Sequence, residues 1–218
     1  MKQKKLVIFD WGGVIESHYP GEYNIETAVI NLFQKLDSKL PKEEIFPLIW
    51  KSYIDISDIK VHTIQTIEEM MPWFEYIKQH SDLTCDFETF CKVYEEAYAD
   101  IDFYQDVVDF IHSLKEKCYL GILSNLSYLD KERIDSQVDL ENFDYVWLSF
   151  ALGYEKPNPE IYKIVESNGT FPPSDILFID DSKENIEVAK SRGWNTCLAT
   201  GHELNKIKET VLEFIHSK

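Results

Sequence analysis

Positive charge is scarce in this chain: 22 Lys and Arg stand against 39 Asp and Glu in 218 residues, a formal net charge of −17. The deficit opposes non-specific nucleic-acid binding, in which cationic side chains displace phosphate counterions. It equally opposes attraction to an anionic membrane surface. Long hydrophobic runs are also missing. No stretch reaches the about 18 consecutive apolar residues of a membrane-spanning helix. The basic start, Met1-Lys-Gln-Lys-Lys5, is followed only by Leu6-Val-Ile-Phe9 before Asp10 interrupts, too short for the apolar part of a secretion signal. Cys85, Cys91, Cys118 and Cys197 are scattered without a CxxC spacing, which argues against a zinc site or a disulfide framework and for reduced core thiols. Repeats and low-complexity tracts are absent. These absences lead us to expect a cytoplasmic protein that binds neither nucleic acid nor membrane.

What is present is enough to build a core. Apolar residues make up 44% of the chain and aromatics 14%, far from the composition of a disordered acidic tail. Five short apolar runs, at 6–10, 119–125, 145–150, 175–180 and 195–200, are continuous rather than alternating, as in parallel strands covered on both faces. Helical signals separate the later ones. Asn158-Pro159 is a cap followed by proline at the first helical position, with Gly169 as the stop. Ser182 can cap 183–192, which Gly193 would end. Val107-Val108, Phe110-Ile111 and Leu114 have helical spacing. The rhythm predicts an α/β protein with a doubly wound parallel sheet. Residues 21–100 break it, with four helical stretches at 25–36, 43–56, 64–80 and 87–98 and no strong strand. They predict an all-helical insertion after the first strand.

In an open parallel sheet, ligands bind beyond the carboxyl ends of the strands. Strand one ends in Asp10, followed by Trp11-Gly12-Gly13; strand two ends in Ser124-Asn125; Lys156 follows strand three; strand four ends in Asp180-Asp181. Asp10, Asp180 and Asp181 would repel one another without a cation among them. Oxygen ligands with no nearby His or Cys favour Mg²⁺. Gly12 and Gly13 let the backbone turn sharply, so that a carbonyl can also face the metal. Ser124 offers a hydroxyl, Asn125 backbone or amide donors, and Lys156 a positive charge to a phosphate oxygen. An aspartate beside Mg²⁺ and lysine is a competent nucleophile towards phosphorus.

This set resembles the haloacid dehalogenase-like (HAD) superfamily, in its helical-cap phosphatase branch. The matching segments are Val7-Ile-Phe-Asp10-Trp-Gly12-Gly-Val14, Gly121-Ile-Leu-Ser124-Asn125, Lys156-Pro-Asn-Pro159-Glu-Ile-Tyr162 and Phe178-Ile-Asp180-Asp181-Ser-Lys-Glu-Asn185, in order over residues 5–200. The resemblance implies a Rossmann-like core (1–20 and 101–218) with strand order 3-2-1-4-5 and a cap at 21–100. It implies a hydrolase in which Asp10 forms an aspartyl-phosphate, aided by Ser124 and Lys156. Asp10, the Gly12 carbonyl and Asp181 would hold Mg²⁺, while Asp180 would bind it through water or orient Lys156. The substrate it implies is a small phosphorylated metabolite, such as a sugar phosphate.

One position departs from the pattern. Where the superfamily commonly carries a second aspartate, the general acid and base, this chain has Gly12, a form some of its phosphatases share. Such help is worth roughly 10²–10⁴ in rate, so a good leaving group, as in a sugar 1-phosphate or acyl phosphate, would suit the site. Glu16 or His18 could substitute. The alternatives are a phosphate-binding regulatory protein with weakened chemistry and a phosphotransferase. Dehalogenation, which needs no metal, leaves the Asp180-Asp181 pair unexplained. Trp11 should point away from the site. The aromatics Trp50, Tyr53, Trp73, Phe74, Tyr76, Phe87, Phe90 and Tyr94 are expected mainly to pack the insertion, some of them roofing the site. His62, His80, His112 and His202 read as isolated surface or core residues.

Overall fold

A computed structural model of the chain describes residues 4–17, 24–55, 60–131, 133–134 and 142–217. Five strands form one parallel sheet: β1 (Leu6–Phe9), β2 (Tyr119–Ser124), β3 (Tyr145–Leu148), β4 (Ile176–Asp180) and β5 (Asn195–Leu198). Their order across the sheet is β3-β2-β1-β4-β5, the predicted one. Side chains alternate between faces along a strand, and both faces are covered. Val7 and Phe9 of β1 pack under α5 (Gln105–Ser113) and α9 (Leu204–His216), through Val107, Ile111, Ile207 and Val211. Leu6 and Ile8 pack on the other face under α7 (Pro159–Gly169) and α8 (Lys183–Ser191), through Ile161, Val165, Ile186 and Ala189. Each such side chain taken wholly out of water contributes about 1.5–3 kcal/mol, which explains why the strands read as unbroken apolar runs.

A second apolar cluster belongs to the helices α1 (Ile25–Lys35), α2 (Lys42–Asp55), α3 (Met71–Gln79) and α4 (Phe87–Tyr98), with Leu32, Phe33, Trp73, Phe74 and Phe90 at its centre. Asn24 and Asp86 cap α1 and α4 by accepting from the Thr27 and Thr89 amides at 2.9 and 2.8 Å. The chain leaves and re-enters the sheet layer side by side, with Ser17 N donating to Asp102 O at 2.8 Å and Tyr104 N to Ile15 O at 2.9 Å.

Three sequence expectations are corrected. The pattern at 64–80 predicts one helix, but α3 begins only at Met71. Pro72 cannot donate an amide and would clash with the preceding turn, so it is tolerated in the first turn and breaks anything longer. The run at 145–150 reads as one strand, yet Ser149–Leu152 forms a single helical turn, α6, closed by left-handed Gly153 at φ 72. The Ser149 hydroxyl accepts from Leu126 N at 3.0 Å and donates to Leu126 O at 3.1 Å, tying the turn to the segment after β2 where a strand ladder would otherwise run. In α7 the left-handed end residue is Thr170 at φ 52, not Gly169. Gly169 is needed for space instead, since a Cβ there would lie 2.6 Å from the Phe171 ring.

Candidate active site

The strand order brings Asp10, Ser124 and Asp180 to one edge of the sheet, at the carboxyl ends of β1, β2 and β4, where Lys156 and Asp181 join them. Lys156 is buried, and its ammonium lies 2.8 Å from both Asp10 Oδ1 and Asp180 Oδ2. Burial alone would lower the Lys156 pKa, but the two carboxylates override it and hold the ammonium above its ordinary value. Asp180 is fully buried. Besides Lys156 it accepts from Ser182 N at 2.7 Å and from Asn185 Nδ2 at 3.1 Å on each oxygen. Asn185, in the first turn of α8, is thus a site residue to which the sequence pattern assigns no role. Its signal is the spacing that puts it one helical turn after the Asp180-Asp181 pair. Tyr162 of α7 closes the set by donating to Asn185 O at 3.1 Å.

Asp10, Asp180 and Asp181 each offer an oxygen within 4.8 Å of the others. Burial pushes the Asp10 carboxyl up to about 7 against the pull of Lys156, and Asp180 and Asp181 add to the rise. Three carboxylates against one ammonium leave negative charge in a poorly solvated place, and all the donors are hard oxygens. That set fits a hard divalent cation. The close approach of Asp181 has its own requirement: Gly13 sits at φ 76, and a Cβ there would come within 2.2 Å of Asp181 Oδ2. Only glycine supplies both the left-handed turn and the room.

Asn125 stands differently from the expectation. Its side-chain amide donates to Lys156 O at 2.8 Å and accepts from Lys156 N at 2.7 Å. The amide positions the lysine, and one of its two N–H donors is spent in doing so. Glu16 is corrected as a stand-in acid and base. It is buried, its carboxylate accepts from Trp11 Nε1 at 2.9 Å and is paired with the Arg133 guanidinium, so it is engaged within the fold. His18 lies outside the described residues. Trp11 is buried in the sheet core.

A cavity of about 480 Å³ opens from this edge towards the helices. Asp10, Gly12, Ser124, Asn125, Lys156 and Asp181 line its sheet end. Phe46, Ile49, Trp50 and Tyr53 of α2 line it as well; their i, i+3, i+4, i+7 spacing puts them on one helix face. Tyr94 of α4 joins them, whereas Trp73, Phe74 and Phe90 belong to the helical core. His62 is another correction: it lines the cavity, with Nδ1 3.3 Å from Glu155 Oε2. Arg133 and Asp130 at the cavity's side carry no signal in the sequence, where charged residues in a connection have no period.

Residues 23–199 match the family described as haloacid dehalogenase-like hydrolase. The chain is 30% identical over 209 aligned positions to the D-ribitol-5-phosphate phosphatase of Bacteroides thetaiotaomicron, covering 88% of this chain and 90% of that one. Its fold is similar to a HAD family enzyme of the same organism solved with magnesium and inorganic phosphate, with a TM-score of 0.69, 20% identity and coverage of 92% and 96% of the two chains. It is also similar to the L-2-haloacid dehalogenase of Xanthobacter autotrophicus, with a TM-score of 0.66, 18% identity and coverage of 89% and 76%.

Proposed function

Since the chain belongs to the haloacid dehalogenase-like hydrolase family, we propose that it is an Mg²⁺-dependent phosphatase that releases inorganic phosphate from a small phosphate ester, with Asp10 as nucleophile. The observation that carries this reading is the trio Asp10, Asp180 and Asp181 around Lys156. A dehalogenase has no use for a third acidic group beside its nucleophile, whereas a metal-assisted phosphoryl transfer does. Asp10, the Gly12 carbonyl and Asp181 would hold the ion; Asp180, already engaged by Lys156, Ser182 and Asn185, orients the lysine. Bound there, Mg²⁺ supplies charge neutralisation at the phosphoryl oxygens and keeps Asp10 ionised.

The Asp10 carboxylate attacks phosphorus, the ester P–O bond breaks, and an aspartyl-phosphate forms. Water then attacks that phosphorus, the bond to Asp10 breaks, and phosphate leaves. Lys156 and the hydroxyl of Ser124 bind the phosphoryl oxygens as charge builds on them. Gly12 presents no carboxyl, so the leaving oxygen takes its proton from solvent, and esters with good leaving groups turn over fastest. The helices of residues 21–100 act as a cap over the core of 1–20 and 101–218, limiting the substrate to a small metabolite such as a sugar phosphate. Among the described residues no helix is long and apolar enough to cross a membrane, and the four cysteines are free thiols, which suits a reducing cytoplasm.

The test is phosphate release from a panel of sugar 1-phosphates, acyl phosphates, sugar 6-phosphates and nucleotides, with Mg²⁺ and with chelator. Turnover that needs the metal and falls by more than about 10³-fold in Asp10→Asn supports the reading. Phosphate bound by the wild type with no turnover on any ester would turn the assignment to a regulatory phosphate-binding protein.

A further inference from the structure

The cavity walls away from the phosphoryl site carry charges that are already engaged with one another. Arg133 donates through one terminal nitrogen to Glu16 and through the other to Asp130 Oδ1 at 3.1 Å. Asp130 Oδ2 accepts from Ser127 N at 3.0 Å and Ser127 Oγ at 2.9 Å, and Oδ1 accepts also from the Tyr94 hydroxyl at 3.2 Å. His62 Nδ1 lies 3.3 Å from Glu155 Oε2. A hydroxyl brought in among these groups gives up its water without gaining a matching partner, which weighs against binding. A second anionic group fares no better. The lysine and the arginine that line the cavity each already face two carboxylates, in a chain of net charge −17.

What is left to meet a leaving group is apolar. Val29 of α1, Phe46, Ile49, Trp50 and Tyr53 of α2 and Leu126 border the same cavity as Asp10. Trp50 keeps 60% of its surface exposed and packs against Phe46 at 6.4 Å and 27°. Burial first, and Asp130 next, raise the Tyr53 phenol above its ordinary pKa, so its ring carries no charge. A flat apolar group laid against such rings gains from the area removed from water and from ring–ring contact.

The reacting end makes the same selection. Gly12 offers no carboxyl to protonate the leaving oxygen, and Glu16 is engaged by Trp11 and Arg133. Phenolic hydroxyls ionise at about pH 10, so an aryl oxygen departs as its anion where an alkoxide needs a proton donor.

Resting on the phosphatase reading, we propose that the substrate class is an aryl monophosphate, the phosphate ester of an uncharged phenol whose ring lies against the α2 face of Phe46, Trp50 and Tyr53. Asp10 attacks phosphorus and the bond between phosphorus and the aryl oxygen breaks. Its electron pair leaves with the phenolate, which takes a proton from solvent. Water then cleaves the aspartyl-phosphate as for any other ester.

The experiment measures kcat and KM of the full chain with Mg²⁺ on naphthyl phosphate, phenyl phosphate, acetyl phosphate and a sugar 1-phosphate. Acetyl phosphate has a good leaving group and no ring, so it separates leaving ability from ring recognition. The two aryl esters leave with similar ease, so a roughly fivefold lower KM for the naphthyl ester reads the added apolar contact. Both should exceed the sugar 1-phosphate in kcat/KM by at least about tenfold. The surface substitution Trp50→Ala should raise KM at least about threefold more for naphthyl phosphate than for acetyl phosphate. Naphthylmethyl phosphonate, which is not hydrolysed, should bind at least about tenfold more tightly than methylphosphonate by calorimetry with Mg²⁺.

Equal losses on both esters in Trp50→Ala would overturn the placement of the ring on α2. Aryl esters favoured in kcat alone, with equal phosphonate affinities, would reduce the selection to leaving-group chemistry and overturn ring recognition. A sugar 1-phosphate used as well as the aryl esters, with turnover lost in Asp10→Asn, would overturn the aryl class and leave the phosphatase standing. No turnover of any ester, with the phosphonate preference intact, would overturn the phosphatase and keep the ring-binding wall. No turnover with equal phosphonate affinities would overturn both.

Discussion

Two buried ionic clusters lie within one cavity, and they are built to different rules. Around Lys156 three carboxylates face one ammonium, and Asp10 is pushed up to about 7 by burial and by its acidic neighbours. Around Arg133 two carboxylates face one guanidinium, and the remaining lone pairs are met by Ser127, Trp11 and Tyr94. Lysine places a compact charge between two anions, whereas the planar guanidinium spans its two partners with separate nitrogens. The comparison teaches where added positive charge would be welcome. The lysine cluster carries unbalanced negative charge that a divalent cation would offset; the carboxylates of the arginine cluster are already engaged by the guanidinium and its neighbours.

Substitutions at the two cations would break this contrast most sharply. Lys156→Gln leaves Asp10 and Asp180 buried without their ammonium, and should cost about 3–5 kcal/mol of stability, a fall in Tm of roughly 10 °C for a chain of this size. Mg²⁺ should narrow that fall, because a cation at the trio offsets the same carboxylates; phosphate release stays lost. Arg133→Gln should also lower Tm, but its loss should be the same with Mg²⁺ and with chelator. Thermal melts of both variants in each condition check the pair, and equal metal response would erase the distinction.

The next effect concerns the approach of Asp181. Gly13→Ala meets both a left-handed φ and a 2.2 Å contact with Asp181 Oδ2. It should cost about 1–2 kcal/mol from the backbone alone, and weaken Mg²⁺ binding measured by calorimetry, while Gly153→Ala, also left-handed but facing only Gln65 at 3.8 Å, pays the backbone strain without touching metal affinity. Asn185→Ala should be milder: it removes two bonds to Asp180, and turnover should fall by about 10–100-fold with near-wild-type phosphate affinity, read from kcat and KM separately.

The smallest effect lies away from both clusters. The Arg192 guanidinium grips Glu166 at 2.8 and 2.6 Å between α8 and α7 and holds its carboxyl below the ordinary value. A depressed carboxylate stabilises the fold above its unfolded-state pKa, and that stability is lost as pH falls through the folded-state value. Arg192→Met should therefore cost about 1 kcal/mol or less at neutral pH, the pair being partly solvated, and still less in strong acid, as pH-dependent denaturant melts will register.

The legible parts were those with a period or a fixed neighbour. Apolar runs placed the strands because both sheet faces are covered, and Ser182 and Asn158 placed helix starts because a cap acts on the next few amides. Asp10, Lys156 and Asp180 could be grouped from their positions in the chain because parallel topology sends strand ends to one edge. Arg133 and Asp130 could not, since their partners Glu16 and Tyr94 are 117 and 36 residues away along the chain. The hold of the Asn125 amide on Lys156 is not legible either, because such an amide can serve a ligand or a backbone equally and local sequence does not distinguish the two. The break before Met71 was signalled by Pro72 and outweighed by the apolar spacing around it.

Asn125 holds residue 156 by its main chain alone, reading one N–H and one carbonyl. The address of that residue is therefore independent of what its side chain carries. What the side chain must satisfy is set elsewhere, by the buried carboxylates of Asp10 and Asp180. Backbone address and side-chain demand are thus divided between two parts of the fold: the loop after β2 fixes where residue 156 starts, and the ends of β1 and β4 fix that it must end in a cation.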